Sequence, residues 1–296
     1  MDASIAGRFY RLSEAPQGSL DFDALLLEQM QRQNPGDRER DLGGGVIMRI
    51  ERCAVENGIL IGDFCRKQTI NIPPQAGPAG LTPIQLDLGM GIGHVAAFAY
   101  HSPTRCLFLQ RNLQSATPNR IGLYLRSLSG QALFTFSPVL REDAWMRLHG
   151  RGIRVLTVKF ASPENLSALD DEGIAAAKGA RLMAEAYNGM EITFTISAGR
   201  KKNSILNAQA VAGTLRSLIG SSADIDNLSI KTSIEEGSEP IDMLGDQLKY
   251  AEEINIPEGN PDQHYEVRKR WIVNKFRANE DYLRRFYARG ENGDAR

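Results

Sequence analysis

The stretch from His94 to Gln110 constrains this chain most. Two runs, 94–100 and 105–110, are almost unbrokenly apolar and flank a Ser102-Pro103-Thr104 turn. Successive side chains of a strand point to opposite faces, so an uninterrupted apolar strand must be covered on both. The spacing predicts a hairpin buried on both faces. A second hairpin is predicted just before it, where Glu56-Asn57-Gly58 separates residues 46–55 from 58–66. Asn-Gly is a strong hairpin signal because both residues tolerate positive φ.

The remaining elements follow from periodicity and punctuation. A short first strand is expected at 7–12. A helix at 19–30 would be capped by Ser19 or Asp21, with Phe22, Leu25, Leu26 and Met30 on one stripe. Asn34-Pro-Gly-Asp37 ends that helix in a turn, and residues 71–83, rich in Pro, Gly and Ala, read as a loop. Pro118 opens a helix to 128 with Ile121, Tyr124, Leu125 and Leu128 on one side. Strands are expected at 133–140 and 153–160, with a short helix at 142–148 between them.

A second compositional region begins near Ser162. It reads as a helix at 171–187, a strand at 192–196, a helix at 204–219, a strand at 228–234 and mixed β structure at 241–256. Residues 262–287 read as one long helix. Hairpins without a repeated βαβ unit predict an α+β fold with mainly antiparallel sheets. The expected regions are an N-terminal mixed domain at 1–160, a second α/β region at 161–258, and a C-terminal basic helix with a short tail at 259–296, packed on the second region.

Composition narrows the function. The 296 residues are 42% hydrophobic, enough for one large or two moderate cores. Formal net charge is -1, so attraction to nucleic acid must come from a local patch. The opening MDASIAGRFYRL carries no signal-peptide run, and no later apolar stretch reaches the roughly 18–20 residues of a membrane span. Cys53, Cys65 and Cys106 form no CxxC pair, which fits reduced thiols in a cytoplasm.

No catalytic signature fits its sequence context. Gly89-Met-Gly91-Ile-Gly93 precedes a strand rather than a helix and lacks a Walker lysine, so a glycine loop feeding a hairpin is the better reading. His94, His101, His149 and His264 stand at no metal-ligand spacing, and His94 and His101, an odd number apart on one strand, point to opposite faces. The acidic runs Asp170-Asp171-Glu172, Glu235-Glu236 and Glu252-Glu253 read as solvated faces. No catalytic residue, metal or cofactor is therefore expected.

Three basic groups remain. Arg200, Lys201 and Lys202 lie between a strand and a helix, where cationic side chains and free backbone N–H groups both suit a phosphate. The terminal helix carries Arg268, Lys269, Arg270, Lys275, Arg277, Arg284 and Arg285 beside an apolar stripe of Tyr265, Ile272, Phe276, Leu283 and Phe286. Tyr265 and Trp271 read as core rather than base-stacking platforms. A looser set, Arg105, Arg111, Arg120 and Arg126, is expected to share a rim, with Arg111 and Arg120 as DNA-binding candidates.

The order of elements resembles the RexA family of phage-exclusion proteins of lambda-type prophages. The likeness runs through Gly7-Arg-Phe-Tyr10 and the Leu-rich helix, Phe64-Cys-Arg66, Val95-Ala-Ala-Phe98 and Leu107-Phe108-Leu109 with helix 117–128. It continues through Phe136-Ser-Pro-Val-Leu140, the strand at 155–160, the basic segment 200–202 and the aromatic, basic C-terminal helix. More remotely the chain is similar to the KwaB proteins of the Kiwa defence system. The resemblance implies an intracellular, homodimeric DNA-binding protein of anti-phage defence, with Arg200, Lys201 and Lys202 where that family is also basic. It also implies a separate membrane-protein effector encoded nearby, for which this chain is the sensor. The leading expectation is non-enzymatic, sequence-independent DNA binding through phosphates, with no small-molecule substrate. The alternatives are a protein-interaction module without nucleic acid and a metal-dependent nuclease whose carboxylates converge only in space.

Overall fold

In the computed structural model the doubly apolar hairpin, β7 (Ile92–His101) and β8 (Cys106–Gln110), sits in the middle of an eight-stranded antiparallel sheet. The structure describes residues 2–14, 21–43, 45–112, 114–130, 134–148, 151–160, 192–199, 201, 204–207, 210–211, 214, 225–232, 240–257 and 259–287. The sheet runs β14 (Lys249–Asn255), β1 (Asp2–Glu14), β8, β7, β4 (Ile59–Gln68), β3 (Ile47–Glu56), β2 (Arg40–Asp41). β9 (Phe134–Pro138) pairs with the far half of β1, from Tyr10 to Glu14. A second antiparallel sheet has the order β11 (Ile192–Ser197), β10 (Val155–Phe160), β12 (Ile225–Lys231), β13 (Ile241–Asp242). A small ribbon joins β5 (Gln75–Gly77) to β6 (Gly80–Thr82). The fold is α+β, as the sequence predicts.

The pleat divides the large sheet into two apolar faces. Leu60, Phe64, Ala96, Phe98, Tyr100, Leu107 and Leu109 face α1 (Phe22–Met30) and α2 (Pro118–Ser129), against Phe22, Leu25, Leu26, Ile121, Tyr124 and Leu125. Ile59, Ile61, Ala97, Ala99, Cys106 and Phe108 form the other face. They meet Trp271, Ile272 and Phe276 of α4 (Pro261–Ala278) and Leu283 and Tyr287 of α5 (Glu280–Tyr287). A short helix, α3 (Glu142–Leu148), lies between β9 and β10. The hairpin turn after β3 has Asn57 at φ 49° and Gly58 at φ 78°, the positive values that Asn-Gly supplies.

Several expectations need correction. The first strand is not short: β1 spans thirteen residues and lies inside the sheet. The stretch 71–83 holds the β5–β6 ribbon. The long terminal helix breaks at Asn279 into α4 and α5. It packs on the first sheet, not the second region, and β14 also joins that sheet by pairing Asp2 with Asn255. Such pairing depends on contacts between the two ends of the chain, which local periodicity does not encode. Within the expected helix 204–219, Ser204 to Asn207 are not helical, while Ala210, Val211 and Thr214 are. Ser19, His149, the helix at 171–187 and the acidic runs at 170–172 and 235–236 lie outside the described residues.

Gly62 marks a tight point. Ile50 pairs with Phe64 but Arg52 with Asp63, so Glu51 is an extra residue that bulges β3. A Cβ at Gly62 would stand 2.1 Å from the Arg52 carbonyl oxygen and 3.0 Å from the Phe98 ring. Gly62→Ala is expected to lower stability by about 1–3 kcal/mol through backbone displacement. A urea midpoint equal to wild type would mean that the bulge yields freely.

Candidate nucleic-acid interface

The predicted basic flank of the terminal helix is largely neutralised. Arg268 does not face solvent. Its side chain is 8% exposed, with Nη2 3.6 Å from Asp63 Oδ2, and its Nε donates to the His264 carbonyl at 3.1 Å. Lys269 Nζ is 2.5 Å from Glu56 Oε1. Lys275 donates to Glu252 and sits over the Tyr250 ring. The Lys275 hydrogen bond, then that from Trp271 Nε1, holds the Glu252 carboxyl below its ordinary range. Arg284 grips Glu280 at 2.6 and 3.0 Å and reaches His101 Nε2 at 3.2 Å. Arg285 meets Glu142 at 3.4 Å and lies over the Phe286 ring. Arg270 and Arg277 are exposed. Tyr265 and Trp271 are buried, as expected, while Tyr287 takes the buried place predicted for the half-buried Phe286.

In the basic loop, Lys201 is exposed, whereas Arg200 and Lys202 lie outside the described residues. The buried Arg154 fastens this loop from below: its Nη2 donates to the carbonyls of Gly199 at 3.1 Å and Lys201 at 2.5 Å.

Among the described residues, cations without a carboxylate partner also meet at the end of the large sheet beside the start of α2. Arg66 on β4 and His94 on β7 are direct cross-strand partners, on the same sheet face as Phe64 and Ala96. A laced loop brings Arg120 to them. Arg66 Nη1 donates to the Gln114 carbonyl at 2.8 Å, and Arg120 Nη1 to the Ser115 carbonyl at 2.7 Å. The Ser115 hydroxyl donates to the His94 carbonyl at 2.6 Å, and Asn112 Nδ2 to the Val95 carbonyl at 3.1 Å. The Thr117 side chain caps α2 by accepting from the Arg120 N–H at 3.3 Å, and Pro118 starts the helix with φ already set.

The electrostatics show the crowding. Burial, then the neighbouring Arg66 charge, lowers the Arg120 pKa. Burial, then Arg66 and Arg120, lowers that of His94, whose Nε2 lies 2.7 Å from Gln68 Oε1. Among the described residues no carboxylate forms an ion pair with Arg66 or Arg120. Arg66 Nε is buried and unpartnered among them. The α2 N-terminus adds its partial positive charge. Arg111 is exposed just past the end of β8, where together with Arg8 it opposes the burial that raises the Tyr10 hydroxyl pKa.

Arg105 and Arg126 do not join this end of the sheet. Arg105 lies in the turn before β8 and Arg111 follows its end, so the two stand at opposite ends of that strand. Arg126 is in the last turn of α2, away from Arg120 at its start. Arg66 and His94 escaped the sequence reading because they are 28 residues apart and meet only through the β4–β7 register. The signal available was Arg66 itself, on the sheet face that Leu60 and Phe64 make apolar.

An ionised guanidinium offers a planar fork of donors that matches phosphate oxygens. Two such groups, part-buried and mutually repelling, gain most from an anion that neutralises both. Among the described residues no three His, Cys, Asp or Glu side chains converge as a metal site. No helix among them is long and apolar enough to cross a membrane. The cysteines are free thiols, with Cys65 and Cys106 buried.

A family model described as a family of unknown function (DUF6731) matches residues 17–285. Comparison with curated proteins gave no match.

Proposed function

The chain belongs to the DUF6731 family, and we propose that it is a non-enzymatic protein that binds DNA through the phosphate backbone. The single observation carrying this reading is the Arg66–Arg120 pair beside His94, which lacks a carboxylate counter-ion among the described residues. Arg66 and Arg120 hold phosphate oxygens, and the exposed Arg111 continues the track along the sheet end. Backbone contacts carry no base information, so binding is sequence-independent. Arg200, Lys201 and Lys202 form a second phosphate contact in this reading. The RexA-like pattern adds the setting: a cytoplasmic homodimer that senses phage DNA for a separate membrane effector. A small multi-span membrane protein encoded next to this chain would support that setting.

The test is a gel-shift titration on mixed-sequence duplex at several salt concentrations. Each phosphate neutralised contributes about 0.9 to the slope of log affinity against log salt. Arg66→Ala with Arg120→Ala is expected to reduce that slope by about 2 and weaken binding at least tenfold. Both side chains also donate to loop carbonyls, so Arg66→Gln with Arg120→Gln, which keeps amide donors at both positions, is the control for folding and should lower the slope equally. An unaltered slope removes this patch from the interface.

A second reading, a protein-interaction module, draws on one observation: the apolar residues between β4 and β7 are exposed.

A further inference from the structure

Between β4 and β7 the chain leaves the sheet over residues 69–91, and every residue from Pro73 to Met90 is exposed. This arm is not shapeless. Ala76 pairs with Leu81 in the β5–β6 ribbon, whose turn is Pro78-Ala79 and whose Gly80 takes φ 117°. Pro73, Pro74, Pro78 and Pro83 each lock φ. At the root, Gln68 Nε2 donates to the carbonyls of Ile70 and Asn71 at 3.1 and 2.8 Å, and Lys67 Nζ to that of Gly89 at 3.3 Å.

The chemistry of the arm is one-sided. Leu81 is 71% exposed, Leu88 wholly so and Met90 61%, and Asp87 is the one charged residue from Thr69 to Gly91. Its root is basic. The last and first paired residues at the base are Gln68 and Ile92, and Arg66 and His94 lie two positions further in on the same strands. An apolar, nearly uncharged projection therefore rises from an end of the sheet where, among the described residues, Arg66 and Arg120 have no carboxylate partner.

That continuity selects the occupant. Proteins that enter the minor groove insert apolar side chains, Leu and Pro among them, between base steps, and bend the duplex while cations hold the phosphates. Here the cations are at the root, with Pro78 at the ribbon turn and Leu81 beside it. A second copy of this chain fits less well. Two-fold pairing of arms would draw two basic roots toward each other.

We propose that the arm is a wedge for duplex DNA: the Arg66–Arg120 end holds phosphates while Pro78 and Leu81 enter a base step and bend the helix. This rests on the DNA-binding reading above.

The experiment uses the full chain and a duplex of about 30 base pairs carrying a dye at each end and 2-aminopurine at internal steps. Wild type should shorten the end-to-end distance, as a bend of about 20–90° does, and raise 2-aminopurine fluorescence as bases unstack. Leu81→Asn with Pro78→Ala, at exposed positions, should abolish both signals and leave the salt slope intact. Arg66→Ala with Arg120→Ala should lower the slope instead. Three outcomes overturn the wedge: wild type binds without bending, the arm variant bends DNA as wild type does, or the variant loses only self-association by sedimentation. In each of these the basic end still stands if its own variant reduces binding. If wild type does not bind duplex at all, the basic-end reading and the wedge fall together.

Discussion

Arg268→Ala will destabilise the fold by about 3–5 kcal/mol at pH 8, the usual cost of removing one partner of a buried ion pair, and by much less at pH 5. Asp63 is 2% exposed, and one of its carboxylate oxygens meets no hydrogen-bond partner among the described residues. Burial pushes its carboxyl up to about 6 from the ordinary 3.8, with Arg268 and then Arg52 working in the opposite direction. A folded-state pKa above the unfolded one means that the native chain holds this proton more tightly. Asp63 therefore contributes most below pH 3.8, and that contribution is lost as pH rises through about 6. Above that range the carboxylate is ionised, and Arg268 is its nearest counter-charge. Without Arg268 the lone buried anion carries its full desolvation cost at pH 8. At pH 5 the carboxyl takes up a proton and the penalty fades. Urea midpoints of wild type and variant at the two pH values decide the matter. A loss of equal size at both would show that Arg268 acts by packing alone.

Phe276→Ala is expected to cost about 3–5 kcal/mol, a large share of the roughly 5–15 kcal/mol by which a domain is stable. Its ring is fully buried, 5.6 Å from the Phe9 ring and 6.3 Å from that of His101. The neighbouring side chains stand on strands and cannot close the hole without moving the sheet. Truncation before Asp262 should have a still larger effect. It strips Trp271, Ile272, Phe276, Leu283 and Tyr287 from the face formed by Ile59, Ile61, Ala97, Ala99 and Phe108. A bare apolar sheet face aggregates, so the truncated chain should be insoluble. The exposed Arg270→Ala is the control and should stay within about 0.5 kcal/mol of wild type. A soluble truncated chain with an unchanged midpoint would mean that α4 and α5 are a detachable arm.

Arg268 also measures how much of the site was legible. It lies three residues after Tyr265 and four before Ile272, on the apolar stripe rather than beside it, so helical spacing alone could have placed it inside. What spacing could not supply was Asp63, on a strand 205 residues earlier in the chain. The same limit hid the basic end. Arg66 and His94 come from different strands, and Arg120 reaches them through a loop fastened by Gln114 and Ser115. It hid the arm as well, because a Pro- and Gly-rich stretch reads as loop whether it lies on the surface or projects from it.

By itself the sequence determined the features that rest on neighbours along the chain. The unbroken apolar strands demanded two covered faces, Asn57-Gly58 made its hairpin, and the stripes of α1, α2 and α4 fixed which helix sides are buried. Only the tertiary structure decided which element covers which face, that β14 closes on β1, and which cations meet a carboxylate. The physical reason is range. Backbone preference and periodicity act over a few residues. Strand pairing and the balance of charge are set by groups that become neighbours only after the chain has folded, through burial and Coulomb forces that act across space.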